Sequence, residues 1–158
     1  MKEGGAKRET AKAPGARILM VVAPYYRDIT DQMQRGAEAA AAEGEATLDR
    51  VFVPGAFEIP AAIAHAARRS PYEGYVALGC VVRGETSHYD YVCGESARAL
   101  MDLSVRQGLA LGYGVLTVNT IDQAQVRADP QRGDKGGEAT RAALTMIALK
   151  RRFAETAT

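Results

Sequence analysis

The residues best suited to chemistry fall in short polar stretches set between apolar runs. Residues 83–90 (RGETSHYD) follow one such run and lead into a helix-like stretch. Backbone amides of Arg83, Gly84, Glu85, Thr86 and Ser87, with a helix dipole behind them, form an anion seat without a Walker glycine pattern. His88 beside that seat suits proton transfer near neutral pH. The competing role for His88 and Asp90 is simple capping of the helix. Residues 54–60 (PGAFEIP) place the carboxylate of Glu58 between Phe57 and Ile59. It is either an acceptor for a polar ligand or a helix N-terminal charge. Tyr25 and Tyr26 (PYYRD) offer a ring to stack on a planar heterocycle, or are rim and core tyrosines. Arg127 and Lys135 flank a Pro/Gly-rich turn, ADPQRGDKGG, where each is either a phosphate ligand or a solvated charge. Cys80 and Ser87 have no evident neighbouring base in sequence, which argues against a covalent nucleophile. His65, in an Ala-rich stretch, reads as structural. Cys80, His88 and Cys93 lack C-x-x-C or H-x-x-x-H spacing and a fourth ligand, so no metal is expected.

These stretches must be positioned by regular elements, and the apolar pattern supplies them. Continuous apolar runs predict strands over 17–23 (RILMVVA), 47–53, 75–82 (YVALGCVV) and 111–118 (LGYGVLTV). Between them lie predicted helices. The first is capped by Asp28 or Thr30 and runs to about residue 42, where Gly44 stops it. Others span 61–69, 89–107, 122–128 and 136–153. The 89–107 helix carries Val92, Ser96, Ala99, Leu100 and Leu103 on one stripe, and the last carries Ala139, Ala142, Ala143, Met146, Ile147 and Leu149 at core spacing. Such alternation predicts an α/β protein: a three-layer αβα sandwich, flavodoxin-like, with a mostly parallel sheet of about four strands. In such sheets ligands bind at the loops leaving the carboxyl ends of the strands. Those loops are PYYRD, PGAFEIP, RGETSHYD and NTIDQ, which hold most of the unusual residues. Spacing alone therefore points to a planar, phosphorylated ligand and leaves the reaction open.

Composition narrows the classes. A chain of 158 residues, 47% hydrophobic and 25% charged, suits one globular domain and not a disordered or collagen-like chain. Residues 1–16 read as a flexible tail and 17–158 as a single domain. A net charge of +1 with no basic block in the body argues against nucleic acid. No apolar run approaches the ~18–20 residues of a membrane span, and the N-terminus lacks the apolar core of a signal peptide. Two cysteines make no disulfide framework, and the cytoplasm is the expected location.

The same residues resemble the lumazine synthase family, transferases of riboflavin biosynthesis. The matching stretches are residues 54–60 (PGAFEIP), 79–92 (GCVVRGETSHYDYV), 114–117 (GVLT), 123–128 (QAQVRA) and 134–139 (DKGGEA), in family order over about 17–153. The resemblance implies condensation of 5-amino-6-(D-ribitylamino)uracil with 3,4-dihydroxy-2-butanone 4-phosphate, releasing phosphate and water, with no metal or organic cofactor. It implies that His88 transfers protons, that Glu85 and Thr86 belong to the phosphate loop and that Arg127 grips the phosphate. Tyr25 falls at the position that stacks on the pyrimidine. Ala56, Phe57 and Glu58, with Cys80, Val81 and Val82, match segments lining the pyrimidine and ribityl chain. Tyr113 falls where a neighbouring subunit closes the pocket, and Lys135 matches a lysine near the site. Two positions depart from the family pattern: Tyr26 stands where asparagine is frequent, and Tyr113 adds a hydroxyl where phenylalanine is usual. Homopentamers, and hollow shells of twelve pentamers (60 subunits), are implied assemblies, the free pentamer being preferred here. Competing readings are a flavin-binding paralogue without useful turnover, a scaffold, and an electron carrier. Intact His88, Arg127, Glu58 and RGET speak against the first.

Overall fold

The computed structural model describes residues 9–69 and 71–157. Four strands, β1 (Arg17–Val22), β2 (Thr47–Phe52), β3 (Gly74–Val82) and β4 (Ala110–Val118), form one sheet in the order β2-β1-β3-β4. Every pairing is parallel, so the sheet is wholly rather than mostly parallel. The helices are α1 (Arg27–Glu43), α2 (Ile59–Ala67), α3 (His88–Arg106), α4 (Ile121–Ala128) and α5 (Lys135–Thr156), with a 3-10 turn at Ala56–Glu58.

The alternation of side chains along each strand divides the apolar residues between two cores. Ile18, Met20 and Val22 of β1 and Val76, Leu78 and Cys80 of β3 face α1, α4 and α5 through Ile29, Met33, Ala124, Leu144 and Ile147. Leu19 and Val21 with Tyr75 and Ala77 face the opposite way, onto Ala56, Ile59 and Ile63 and onto Leu100 and Leu103 of α3. Hence the central strands are apolar throughout and the layers number three, as continuous runs require of a sheet covered on both faces. α5 sits close enough to β4 that a Cβ at Gly112 would run into the Ala139 carbonyl.

Several boundaries differ from the sequence expectation for identifiable reasons. Neither Asp28 nor Thr30 caps α1. Tyr26 occupies the N-cap with no side-chain bond, and the Thr30 hydroxyl instead donates back to the Arg27 carbonyl at 3.2 Å. Gly44 ends α1 with an ordinary φ of −79°, and the left-handed residue is Glu45 at +60°. Space favours glycine at 44: a Cβ there would lie 2.6 Å from Leu144 Cδ1 and would have to displace that buried side chain. α2 begins two residues early, at Ile59, with Pro60 in its first turn where a missing N–H costs nothing. α5 starts from Asp134, whose side chain accepts from the Gly137 N–H at 3.3 Å. Ala142 and Met146, expected in the core, are exposed, and Thr140 and Leu144 are buried in their stead. Thr140 is tolerated there because its hydroxyl donates to the Gly136 carbonyl at 3.0 Å.

Residues 9–16, part of the stretch read as a tail, lie along the end of α1. Ala13 and Ala16 are fully buried, and the Ala13 N–H donates to the Gly44 carbonyl at 2.9 Å. Thr10 donates to Glu43 and accepts from Arg141, and Arg151 donates to the Pro14 carbonyl. Residues 1–8 lie outside the described residues. Among the described residues no helix is long and apolar enough to cross a membrane.

Candidate active site

The strand order reverses direction between β1 and β3, and the crevice outside the carboxyl ends of those two strands is where ligands of such sheets bind. Both strands run almost wholly buried up to that edge, which fixes where their loops emerge. The ladder continues past β3, the Arg83 N–H donating to the Val118 carbonyl at 2.9 Å, so the RGETSH loop leaves the sheet from a fixed anchor.

On the β1 side, Tyr25 is 76% exposed and meets the half-buried Tyr26 edge-on, their ring centroids 5.0 Å apart. Tyr26 holds the first turn of α1 through its carbonyl, which accepts from the Thr30 N–H at 3.0 Å. Burial raises its hydroxyl above the usual phenol range. Both rings border an open depression of about 610 Å³ shared with Val82, Ile121 and Gln125. A free ring at the mouth and an anchored ring behind it give a stacking platform of the kind planar ligands use.

On the β3 side, Cys80 is 5% exposed and its side chain belongs to the α1/α4/α5 core. Burial pushes the thiol up to about 11, so it stays protonated at neutral pH and is no nucleophile. Val81 and Val82 are half-buried on opposite faces. Beyond them Glu85, Thr86, Ser87 and His88 are all exposed, and His88 is the first residue of α3. Ser87 sits at the N-cap in helical conformation without a side-chain bond. Asp90 does not cap either; it faces Arg83 at 3.4 Å. The capping role weighed for His88 and Asp90 is therefore not the one they take: the His88 N–H donates to the Thr86 hydroxyl at 3.4 Å, and the imidazole stays accessible at the head of α3.

The PGAFEIP segment forms the 3-10 turn and packs against α3. Ala56 is buried, while Phe57 (58% exposed) and Glu58 stand in solvent on the same sheet edge. Arg127 lies half-buried in the last turn of α4, one guanidinium nitrogen donating to the Gln123 carbonyl at 3.0 Å. Lys135 opens α5 and pairs with Glu138 at 2.6 Å.

Tyr113 is not at this edge. It lies five residues before Val118 in β4, roughly 16 Å back along a parallel strand. Its face is that of Val115, toward α3, yet it is 45% exposed because β4 is an edge strand that α3 covers incompletely. Burial raises its hydroxyl, with Cys93 and Tyr89 adding to the effect. Residues absent from the sequence expectation also border the site. Ile121 and Gln125 line the depression, and Asn119 bonds Arg83. Gln125 falls inside the QAQVRA stretch, but nothing in sequence pairs Arg83 with a residue 36 positions on. Among the described residues no three His, Cys, Asp or Glu side chains gather as a metal site would need.

Comparison with known proteins adds identity to this geometry. The family model described as 6,7-dimethyl-8-ribityllumazine synthase matches residues 15–151. The chain is 51% identical over 153 residues to 6,7-dimethyl-8-ribityllumazine synthase 1 of Rhodopseudomonas palustris, covering 94% of each chain. It is 55% identical over 148 residues to the corresponding protein of Rhizobium meliloti, covering 90% of this chain and 97% of that one. It is also 57% identical over 143 residues to the 6,7-dimethyl-8-ribityllumazine synthase of Methylorubrum extorquens, covering 87% and 82%. With the family matched along most of its length, the chain belongs to the 6,7-dimethyl-8-ribityllumazine synthases, enzymes of riboflavin biosynthesis.

Proposed function

We propose that the carboxyl edge of the sheet condenses 5-amino-6-(D-ribitylamino)uracil with 3,4-dihydroxy-2-butanone 4-phosphate by general acid and base catalysis. The amine attacks the ketone and loses water to an imine; phosphate then leaves, and ring closure loses a second water. Each step moves a proton and one expels an anion, so the reaction needs a proton carrier and an anion seat, not a nucleophile. His88 is the carrier. Glu85 and Thr86 form the phosphate loop through backbone amides at the opening of α3, and Arg127 supplies the charge. Tyr25 stacks on the pyrimidine, while Ala56, Phe57, Glu58, Cys80, Val81 and Val82 line its pocket and the ribityl chain. Lys135, paired with Glu138, serves the site's charge from further off.

The observation that carries this reading is the exposed His88 at the head of an α3 whose N-cap makes no side-chain bond. Tyr113 enters through a neighbouring copy, since in its own chain it stands far from the edge. Tyr91, Met101 and Val105 of α3 are each more than 60% exposed and leave an uncovered apolar stripe on that helix. They support a homopentamer of single α/β domains (residues 17–158) in which each site is shared between neighbours, in the cytoplasm, where unpaired Cys80 and Cys93 keep as thiols. Mixing both substrates with wild type and His88→Ala, and following the lumazine by absorbance, tests the proposal. Loss of most turnover in the variant supports it, and full turnover removes His88 from the reaction.

A further inference from the structure

Among the described residues, the most enclosed ion pair joins Arg141 of α5 to Asp134, the N-cap of the same helix. One guanidinium nitrogen donates to Asp134 Oδ2 at 2.8 Å, with side-chain exposures of 11% and 17%. Asp134 has a left-handed backbone, φ +45°, a conformation that aspartate and asparagine tolerate and other side chains resist. Its Oδ1 accepts from the Gly137 N–H at 3.3 Å, so the cap and the ion pair use opposite ends of one carboxylate. Arg141 also donates through Nε to the Thr10 hydroxyl at 3.1 Å and faces Glu43 at 3.6 Å. The turn held in this way folds back on α4. The Asp134 N–H donates to the Asp129 carbonyl and the Gly133 N–H to the Val126 carbonyl, both at 3.0 Å. Gly133 lies so close that a Cβ on it would come within 2.7 Å of Arg127 Cα. Lys135, the first residue of α5, follows Asp134 directly.

We infer that Arg141 is a positioning residue for the phosphorylated substrate: by fixing Asp134 in its left-handed turn it sets the main chain that carries Arg127 and Lys135. This role rests on the phosphate contact proposed for Arg127 and holds whichever copy supplies the rest of the site. Aspartate enters the left-handed region less readily than glycine, and here its carboxylate is pinned at both oxygens. Relaxation of Asp134 to a negative φ would redirect the chain between Gly133 and Lys135 and draw the turn off the Arg127 backbone. The pair is enclosed enough to escape most of the screening that weakens exposed ion pairs. The consequence falls on binding. Arg127 and Lys135 meet an anion that is already charged in the ground state, so displacing them weakens substrate and transition state alike. The expected signature is a rise in KM with kcat retained.

Steady-state kinetics of the full chain with both substrates test this, read beside Tm, for wild type, R141M, D134A, D134N, the D134N/R141M double variant, T10A and R127A. R141M and D134A are each expected to raise the KM for the butanone phosphate by about 3- to 10-fold, the loss of roughly one hydrogen bond's worth of contact. kcat and the KM for the pyrimidine stay within about twofold. D134N keeps the wild-type KM, because asparagine can accept from the Gly137 N–H and adopts the left-handed region by its own preference. For the same reason D134N restores KM in the R141M background, a rescue that lost packing at position 141 would not show. T10A lowers Tm and leaves KM unchanged, since it frees only the N-terminal segment. R141Q, which stays polar but carries no charge, takes the place of R141M if that variant fails to fold. A wild-type KM in folded R141M or R141Q, equal rises in both KM values, or a KM left high in the double variant overturns the inference. So does a T10A variant as impaired as R141M. An unchanged KM for the butanone phosphate in R127A would remove the reading on which the role rests. A raised KM in R127A beside a normal R141M would remove only the positioning role.

Discussion

At the scale of single residues, the contrast lies between an exposed His88 at the head of α3 and a Cys80 sealed in the core. His88 begins a helix whose N-cap Ser87 makes no side-chain bond, so the dipole and the imidazole act on whatever anion enters. Replacing His88 with Ala is expected to slow turnover by about 10- to 1,000-fold with assembly unchanged, the span of general acid–base contributions. Arg127→Ala should act differently, raising the KM for the butanone phosphate by about tenfold or more through loss of a charge-assisted contact. A defect confined to the pyrimidine would contradict that role. Cys80 makes the opposite case, a reactive residue type silenced by burial. Its stability contribution is complete below the ordinary thiol value of 9.0 and is lost as pH rises through about 11. Iodoacetamide at about pH 8 should therefore leave Cys80 unlabelled in the folded protein and label it once unfolded. Fast labelling of the native chain, read by mass spectrometry, would contradict this.

At the scale of elements, stability and site geometry come from the same contacts. Leu144 fills the space left by Gly44 and is fully buried between α1 and α5. Leu144→Ala should cost about 2–5 kcal/mol by denaturant unfolding, whereas Met146→Ala, two residues on and on the exposed face, should cost under about 1 kcal/mol. Glu73, just before β3, is held below the usual carboxyl value of 4.5 by its bond to Arg151 of α5. A lowered folded value means that its contribution is present above 4.5 and disappears as pH falls further. Glu73→Gln should therefore lower Tm slightly near neutrality, with the difference shrinking as pH falls below 4.5. The elements themselves were largely legible: β1 and β3 are unbroken apolar runs, and Pro24 and Pro60 mark the turn after β1 and the first turn of α2. Less legible was which face α5 buries, because Ala142 and Met146 are as apolar as the residues that are buried. Only the position of α1 and β4 decides between the faces. Nor is the Arg83–Asn119 bond written in either local sequence, since it exists only because β3 and β4 end side by side.

At the scale of the whole molecule, Tyr113 stands midway along β4, about five residues back from the edge where the loops after β1 and β3 emerge. Tyr25 and His88 are legible in sequence from the loops that follow β1 and β3. Val82, at the end of β3, is reached only through the family resemblance, and so is the choice of phosphate ligand over solvated charge for Arg127, in the last turn of α4. The position of Tyr113 midway along β4 supports the proposal that it serves a neighbouring copy. Changing the exposed α3 face, as in Val105→Asp, should dissociate the proposed pentamer in sedimentation and lower turnover with it. Turnover undiminished in a monomer would place the entire site within one chain. The most direct measurement is lumazine formation by absorbance when the purified protein meets both substrates, with His88→Ala alongside. Rapid product formation by the wild type and slow formation by a folded variant is the predicted result. Equal rates in the two, or no product from either, would contradict the assignment of this sheet edge and its histidine to the reaction.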